Sequence, residues 1–310
     1  MADFGLGAFA ACTGAPVALG ELGLDSSAHD ALSGGGMGSV LVATRTPVEM
    51  AVSSLRATLD AAATAGLDPA RIATVVWGTT SFTERSWYTD DISHAVTELG
   101  LGQADVVGVT LGECGNIGPA LRACRALVGE TGRPALLVCT DAARPGASRV
   151  VAPNVAILSD GAASCLAGGG AGAGPVSVLV ESIAQASNHR LRALDPNVDG
   201  MRALRITAKG VALAAQRALD AAGRTPAEVD VLLLPNYNAS AQALFAQQCG
   251  IELSRVRTPT LASHAHLFAA DVLTGLPLIA AEAAHDAVVL AIAAGTCTWA
   301  GIVCRITKEL

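Results

Sequence analysis

The chain has 310 residues, 51% of them apolar and only 3% aromatic, with a formal net charge of −7 and a pI near 5.3. That length holds one large domain or two fused half-domains, and the abundant Ala and Gly fit an α/β protein packed through small side chains. With no basic surplus to neutralise phosphates, no nucleic-acid partner is expected.

The N-terminus, MADFGLGAFAAC, carries Asp3 and no basic lead-in, so it does not read as a signal peptide. The Ser33–Gly38 run SGGGMG lacks the strand and helix context of a nucleotide site and reads as a loop. Short apolar runs at 39–44 (SVLVAT), 73–77 (ATVVW), 105–109 (DVVGV) and 134–139 (PALLVC) have the length and composition of buried strands. Helix-like stretches at 48–65, 89–99 and 115–130 separate them, each ended by Gly or polar residues. This alternation implies a parallel sheet covered on both faces. Between strand and helix, WGTTSFTERSWYTDD is a polar loop flanked by Trp77, Trp87 and Tyr88, placed either to line a pocket or to cover the sheet. A last pair of strands is expected within 150–168, with Asp160 as a turn residue.

The second half repeats the order. A strand at 176–184 precedes a long amphipathic helix at 205–222, and between them 187–203 reads as a surface loop or small cap. Then come strand 229–234, helices 239–248 and 267–284, and strands 287–293 and 299–306. The most apolar run, 278–295, is interrupted by Glu282, His285 and Asp286, so no membrane span is expected. Two halves follow from this element order: residues 1–175, carrying a candidate Cys, and residues 176–310, carrying candidate His, Asp and Asn residues. Eight cysteines lie scattered in apolar surroundings without CxxC pairs, which points to reduced thiols in a cytoplasmic protein and to no metal-ligand set. Cys124, Cys139, Cys165, Cys249, Cys297 and Cys304 read as core thiols.

Cys114 stands apart. It follows strand 105–109 at the opening of a helix, in TLGECGNIGPALRACRALV, where the positive end of the helix dipole favours thiolate. Gly112 and Gly115 leave room for a backbone turn and a substrate carbonyl, while the neighbouring Glu113 opposes thiolate formation. A Cys at such a junction is either a nucleophile or a structural thiol.

Cys114 in that position resembles a known pattern when read with the Asp160-Gly161-Ala162-Ala163 turn, Pro235-Asn236 after a strand, His264-Ala265-His266, and Ala294-Gly295-Thr296-Cys297-Thr298-Trp299. Together, in this order, they resemble the ketoacyl-ACP synthase III branch of the thiolase-fold family, over nearly the whole chain. The resemblance implies two similar halves in a five-layered α-β-α-β-α core, as a homodimer, and ping-pong acyl transfer through a Cys thioester. It implies no cofactor beyond the co-substrate, an acyl-CoA or acyl carrier protein thioester. Carried over, Cys114 matches the nucleophile, and Gly295 matches the glycine whose N–H shares the oxyanion hole.

Two positions depart from the condensing members. Asn236 stands where a His is expected and His266 where an Asn is expected. Asn236 can donate a hydrogen bond for substrate positioning but cannot act as base. His266 can, and Asp271 five residues on reaches it if the His lies in a loop and the Asp in the first turns of the following helix. Asp271 is then either the third member of a triad or a helix cap. His264 reads as a structural loop residue. The Cys-His-Asp arrangement is similar to the cervimycin-type acyltransferase offshoot of the family in polyketide pathways, which moves acyl groups to hydroxyls or other acceptors. That implies a small-molecule acceptor in secondary metabolism. A decarboxylative condensing synthase and a non-catalytic partner subunit are the alternatives. For the acidic carrier partner, Arg202, Arg205 and Lys209 are candidate contacts.

Overall fold

The computed structural model describes residues 4–80, 88–151, 154–169, 176–195 and 198–307. Ten strands form one mixed sheet: β1 (Gly5–Thr13), β4 (Thr74–Gly78), β5 (Asp105–Val109), β6 (Ala135–Asp141), β9 (Gly161–Gly168), β10 (Val176–Ser187), β11 (Val231–Leu233), β12 (Val256–Arg257), β13 (Val288–Ala294) and β14 (Thr298–Ile306). Their order is β12-β11-β13-β14-β10-β1-β9-β6-β4-β5. Read outward from the antiparallel β1–β10 pair, both halves place their strands alike, since β4, β5, β6 and β9 correspond to β11, β12, β13 and β14.

The sheet is not all parallel, contrary to the sequence expectation. Only β4–β5, β4–β6, β11–β12 and β11–β13 are parallel pairs. Parallel neighbours need a crossover helix. None intervenes between β6 and β9 or between β13 and β14, so the chain turns back and pairs antiparallel. The expected strand at 39–44 is β3 (Ser39–Val42), which pairs with β2 (Ala15–Ala18) outside the main sheet. Two small strands, β7 (Val150–Val151) and β8 (Ala156–Ile157), form a further hairpin. Among the elements that escaped the sequence reading are β1, whose apolar residues are mostly Ala, its neighbour in sequence β2, the two-residue β12, and the helix α1 (Ser26–Gly34).

Helices cover the sheet in three layers. On the outer face of the first half lie α2 (Pro47–Thr64) and α3 (Tyr88–Glu98). Helix α2 starts at a Thr46–Glu49 capping box with Pro47 in its first turn, and buries Met50, Leu55 and Leu59. On the outer face of the second half lie α5 (Gly200–Ala222) and α6 (Ala239–Cys249). Between them run α4 (Ile117–Thr131) and α8 (Asp271–Glu282). Most strands are apolar on both faces because each face meets a layer; the edge strand β5, expected from its sequence to be buried, is largely exposed instead, with Val106 43% exposed. Leu137 and Cys139 of β6 turn to the central helices while Leu136 and Val138 turn to α2 and α3. Ala291 and Ala293 of β13 face the centre, and Leu290 and Ile292 face outward. This is the five-layered arrangement, and it explains why small residues dominate. Gly210 lets α5 press on Trp299, where a Cβ would lie 2.1 Å from the ring.

The six cysteines read as core thiols are all buried. Burial pushes Cys249 and Cys304 up to about 12, and Cys124, Cys139 and Cys165 further up. Trp77 is fully buried against α2 and β6 rather than lining a loop, and residues 81–87 of that loop lie outside the described residues. No described helix is long and apolar enough to cross a membrane.

Candidate active site

Both central helices begin beside the junction of the two halves, and each is preceded by a turn held from the strand next to it. Before α4, the chain leaves β5 and makes a tight turn over Glu113–Gly115 with Cys114 at its middle. Glu113 adopts φ +51, an uncommon conformation for a residue with a side chain. The turn is fixed by Asn116, whose Oδ1 accepts from Gly112 N at 2.8 Å and whose Nδ2 donates to Thr79 O at 3.2 Å, just past β4. The Glu113 carboxylate is engaged from elsewhere in the chain: Arg192 donates to it, and so does Thr296 N at 3.1 Å. The opposing carboxylate foreseen next to Cys114 is therefore matched by a cation from the 187–203 cap.

Before α8, the short helix α7 (Leu261–His264) ends and His266 sits in the following loop, 1% exposed. His266 N donates to Ile157 O at 3.0 Å and His266 O accepts from Ser159 N at 2.9 Å, so the loop is pinned on both sides. Ala265 and Phe268 both have φ near +50, at 48° and 53°. These bends bring the imidazole back over the first turn of α8, where Asp271 Oδ2 accepts from Nδ1 at 2.5 Å. The helix opening is thus what lets i and i+5 meet. Asp271 is more than a cap: it also accepts from Leu267 N at 2.7 Å, Asn236 N at 2.9 Å and Asn236 Nδ2 at 3.3 Å. Burial alone would lower the His266 pKa, but the charge of Asp271, then that of Cys114, and the hydrogen bonds raise it to about 10. His266 Nε2 is buried, and Cys114 lies within electrostatic and hydrogen-bonding reach of the ring. Tyr237 meets the ring edge-on at 5.0 Å and Phe268 stacks at 6.1 Å. His264 lies apart, bonded through Nδ1 to Ser263 Oγ at 2.7 Å, and partial burial lowers its pKa.

Three expectations need correction. Asn236 does not present its amide to a substrate. Its Nδ2 donates to Thr260 Oγ1 at 2.9 Å and Ala265 O at 2.6 Å, besides Asp271, so it anchors the His266 loop. The Gly295 N–H is also engaged, donating to Thr298 O at 2.8 Å across the β13–β14 turn. Gly295 matters for its missing side chain instead: a Cβ there would stand 2.4 Å from Gly112 O and 3.4 Å from Cys114 N. Asp160 is a buried anchor rather than a simple turn residue. It takes both guanidinium nitrogens of Arg149 at 2.7 Å and the N–H groups of Ala43 and Ala143.

Sequence reasoning missed Tyr237, Asn116 and Ser159, whose only signal was proximity to the chosen residues in PNYN, ECGN and SDG. Among the described residues, no group of three or more His, Cys, Asp or Glu is gathered to hold a metal ion.

No protein-family model matches the chain and no curated protein matches it by sequence. Solved structures do. The acyltransferase ChlB3 superposes with a TM-score of 0.81 at 16% identity, over 99% of this chain and 98% of that one. The 3-oxoacyl-(acyl carrier protein) synthase III of Pseudomonas aeruginosa gives 0.80 at 18% identity, over 99% of each chain. The priming β-ketosynthase of the R1128 polyketide biosynthetic pathway gives 0.78 at 20%, over 99% and 97%. At such identities the likeness shows the fold, and the fold is the thiolase fold.

Proposed function

We propose that this thiolase-fold protein is an acyltransferase that takes an acyl group from an acyl-CoA or acyl carrier protein thioester onto Cys114 and passes it to a hydroxyl or other heteroatom. The observation that carries this reading is the buried His266–Asp271 pair at 2.5 Å, with Nε2 left free of Asp271 and Cys114 within reach of the ring. The Cys114 thiolate attacks the thioester carbonyl carbon, and the imidazolium gives its Nε2 proton to the departing thiol as the C–S bond of the donor breaks. Acylation removes the thiolate charge that helped to hold His266 protonated, so the ring is left neutral and basic. It then takes the acceptor's O–H proton while the new C–O bond forms and the Cys114 C–S bond breaks. Asp271 holds Nδ1–H throughout and stabilises the imidazolium that forms.

Decarboxylative condensation suits this site less well. It calls for two neutral donors on the malonyl thioester oxygen, and the Asn236 side-chain amide is turned inward onto Thr260, Ala265 and Asp271. ChlB3, an acyltransferase on this fold, shows that the scaffold hosts transfer as well as condensation. On the donor side, Arg202, Arg205 and Lys209 are exposed along α5 and suit an acidic carrier or a CoA phosphate. A homodimer is part of the same reading.

Intact mass after incubation with acyl thioesters tests the first half-reaction. An adduct on Cys114, lost in Cys114→Ala, is expected; an adduct mapped to Cys124 or Cys297 would refute the assignment. Supplying a malonyl donor to acylated protein tests the second. Release of CO2 with a 3-ketoacyl product would replace transfer by condensation.

A further inference from the structure

A second buried carboxyl lies beside the triad and has no part in the steps above. Asp141 ends β6 and is 2% exposed. Its Oδ1 accepts three hydrogen bonds, from Thr79 Oγ1 at 3.0 Å, Thr80 N at 2.7 Å and Thr80 Oγ1 at 2.7 Å. Thr79 O in turn accepts from Asn116, which holds Gly112 and so the Cys114 turn. A continuous buried chain therefore runs from Asp141 to the nucleophile's backbone. On the other side, Asp141 pairs in register with Gly161 of β9, where a Cβ would come within 2.7 Å of Leu267, the residue after His266. Asp141 thus stands between the two loops that carry the reacting groups.

Its second oxygen, Oδ2, is buried without a hydrogen-bond partner. A carboxylate left half-satisfied in the interior is costly, whereas an Asn could accept the same three bonds through its carbonyl oxygen without burying a charge. Holding Thr79 and Thr80 does not by itself call for a charge. We propose that Asp141 is a positioning residue of the acyl-transfer site: it fixes the Cys114 turn through Thr79 and Asn116 and adds a further negative charge near the His266 imidazolium, beyond those of Asp271 and Cys114. This rests on Cys114 and His266 being the reacting pair.

The electrostatic link runs from one side: the charge of His266 acts on Asp141, whereas His266 itself is raised by Asp271 and Cys114. Burial pushes Asp141 up to about 6, against the lowering by Thr80, Thr79 and the charge of His266. Above that value it is a carboxylate. Among the described residues, ionisable groups near it include Cys139 on its own strand, whose thiol burial and Asp141 both push up, and the Arg149–Asp160 pair near Ala143.

Full-length wild type, Asp141→Asn and Thr79→Val are compared by thermal midpoint and by iodoacetamide labelling of Cys114 from about pH 5 to about pH 9. Asp141→Asn is expected to fold, to label Cys114 about tenfold more slowly at neutral pH, and to turn a broad profile into a single rise toward alkaline pH, because the ion pair has lost a supporting charge. Thr79→Val keeps the charge and loosens the arm, so it is expected to slow labelling less and keep the wild-type profile. If Asp141→Asn labels within about twofold of wild type with the same profile, or if both variants slow it equally with no change of profile, the charge has no role and the inference fails. If Cys114 in wild type reacts no faster than an ordinary exposed thiol, the acyl-transfer reading itself falls, and this inference with it.

Discussion

Replacing Asp271 by Asn isolates what the buried ion pair does. The carboxylate accepts from His266 Nδ1, Leu267 N, Asn236 N and Asn236 Nδ2. An amide of the same shape has one acceptor oxygen and turns an N–H2 toward some of these donors, so at least one is left unsatisfied, at about 1–3 kcal/mol. That part is independent of pH. The other part is the imidazolium. His266 is raised from 6.5 to about 10, a gap worth about 5 kcal/mol at about 1.4 kcal/mol per pH unit, of which the Cys114 charge supplies a share. Because the folded value lies above the unfolded one, the stabilisation is complete below about pH 6.5 and is lost as pH rises through about 10. Loss of one partner of a buried pair typically costs about 3–5 kcal/mol, the same size. Urea unfolding of wild type and Asp271→Asn at about pH 6 and about pH 10 should show a stability difference of about 3–5 kcal/mol at the lower pH, shrinking to the pH-independent part at the higher. An equal difference at both pH values, or one below about 1 kcal/mol at the lower, would refute the ion pair as the source.

Gly295→Ala keeps the backbone N–H but puts a Cβ 2.4 Å from Gly112 O. The Cys114 turn must move by about 1 Å, so acylation should slow by about 10² in a single-turnover mass assay. An unchanged rate would mean that the turn yields without consequence. His266→Ala should lower transfer by about 10²–10⁴ while His264→Ala stays near wild type; the reverse order in a turnover assay would move the base to His264. Asn236→Leu should destabilise the fold in urea unfolding, through loss of the bonds to Thr260 and Ala265, by about 1–3 kcal/mol. It should slow transfer through displacement of His266. A large loss of transfer with unchanged stability would return Asn236 to a substrate-contacting role.

Much of the fold was legible because its signals are local. The Thr46-Pro47-Val48-Glu49 start of α2, the glycines that stop α4, α5 and α6, and the apolar runs of β4, β6 and β13 each depend on a few neighbouring residues. Strand β1 was not legible, since GLGAFAACT becomes a strand only through pairing with β9 and β10. Strand direction was not local either: it depends on whether a helix or a turn joins two neighbours. At the site, the resemblance named Cys114, His266 and Asp271, and the structure brings the last two together. Which way a polar group points was another matter. The Asn236 amide is held by Thr260, Ala265 and Asp271, the Gly295 N–H by Thr298, and Asp160 by Arg149. An amide or carboxylate is directed by whichever donors and acceptors come within about 3 Å. For buried groups, chain segments far apart in sequence supply them, and only the packed layers of the tertiary structure bring those segments together.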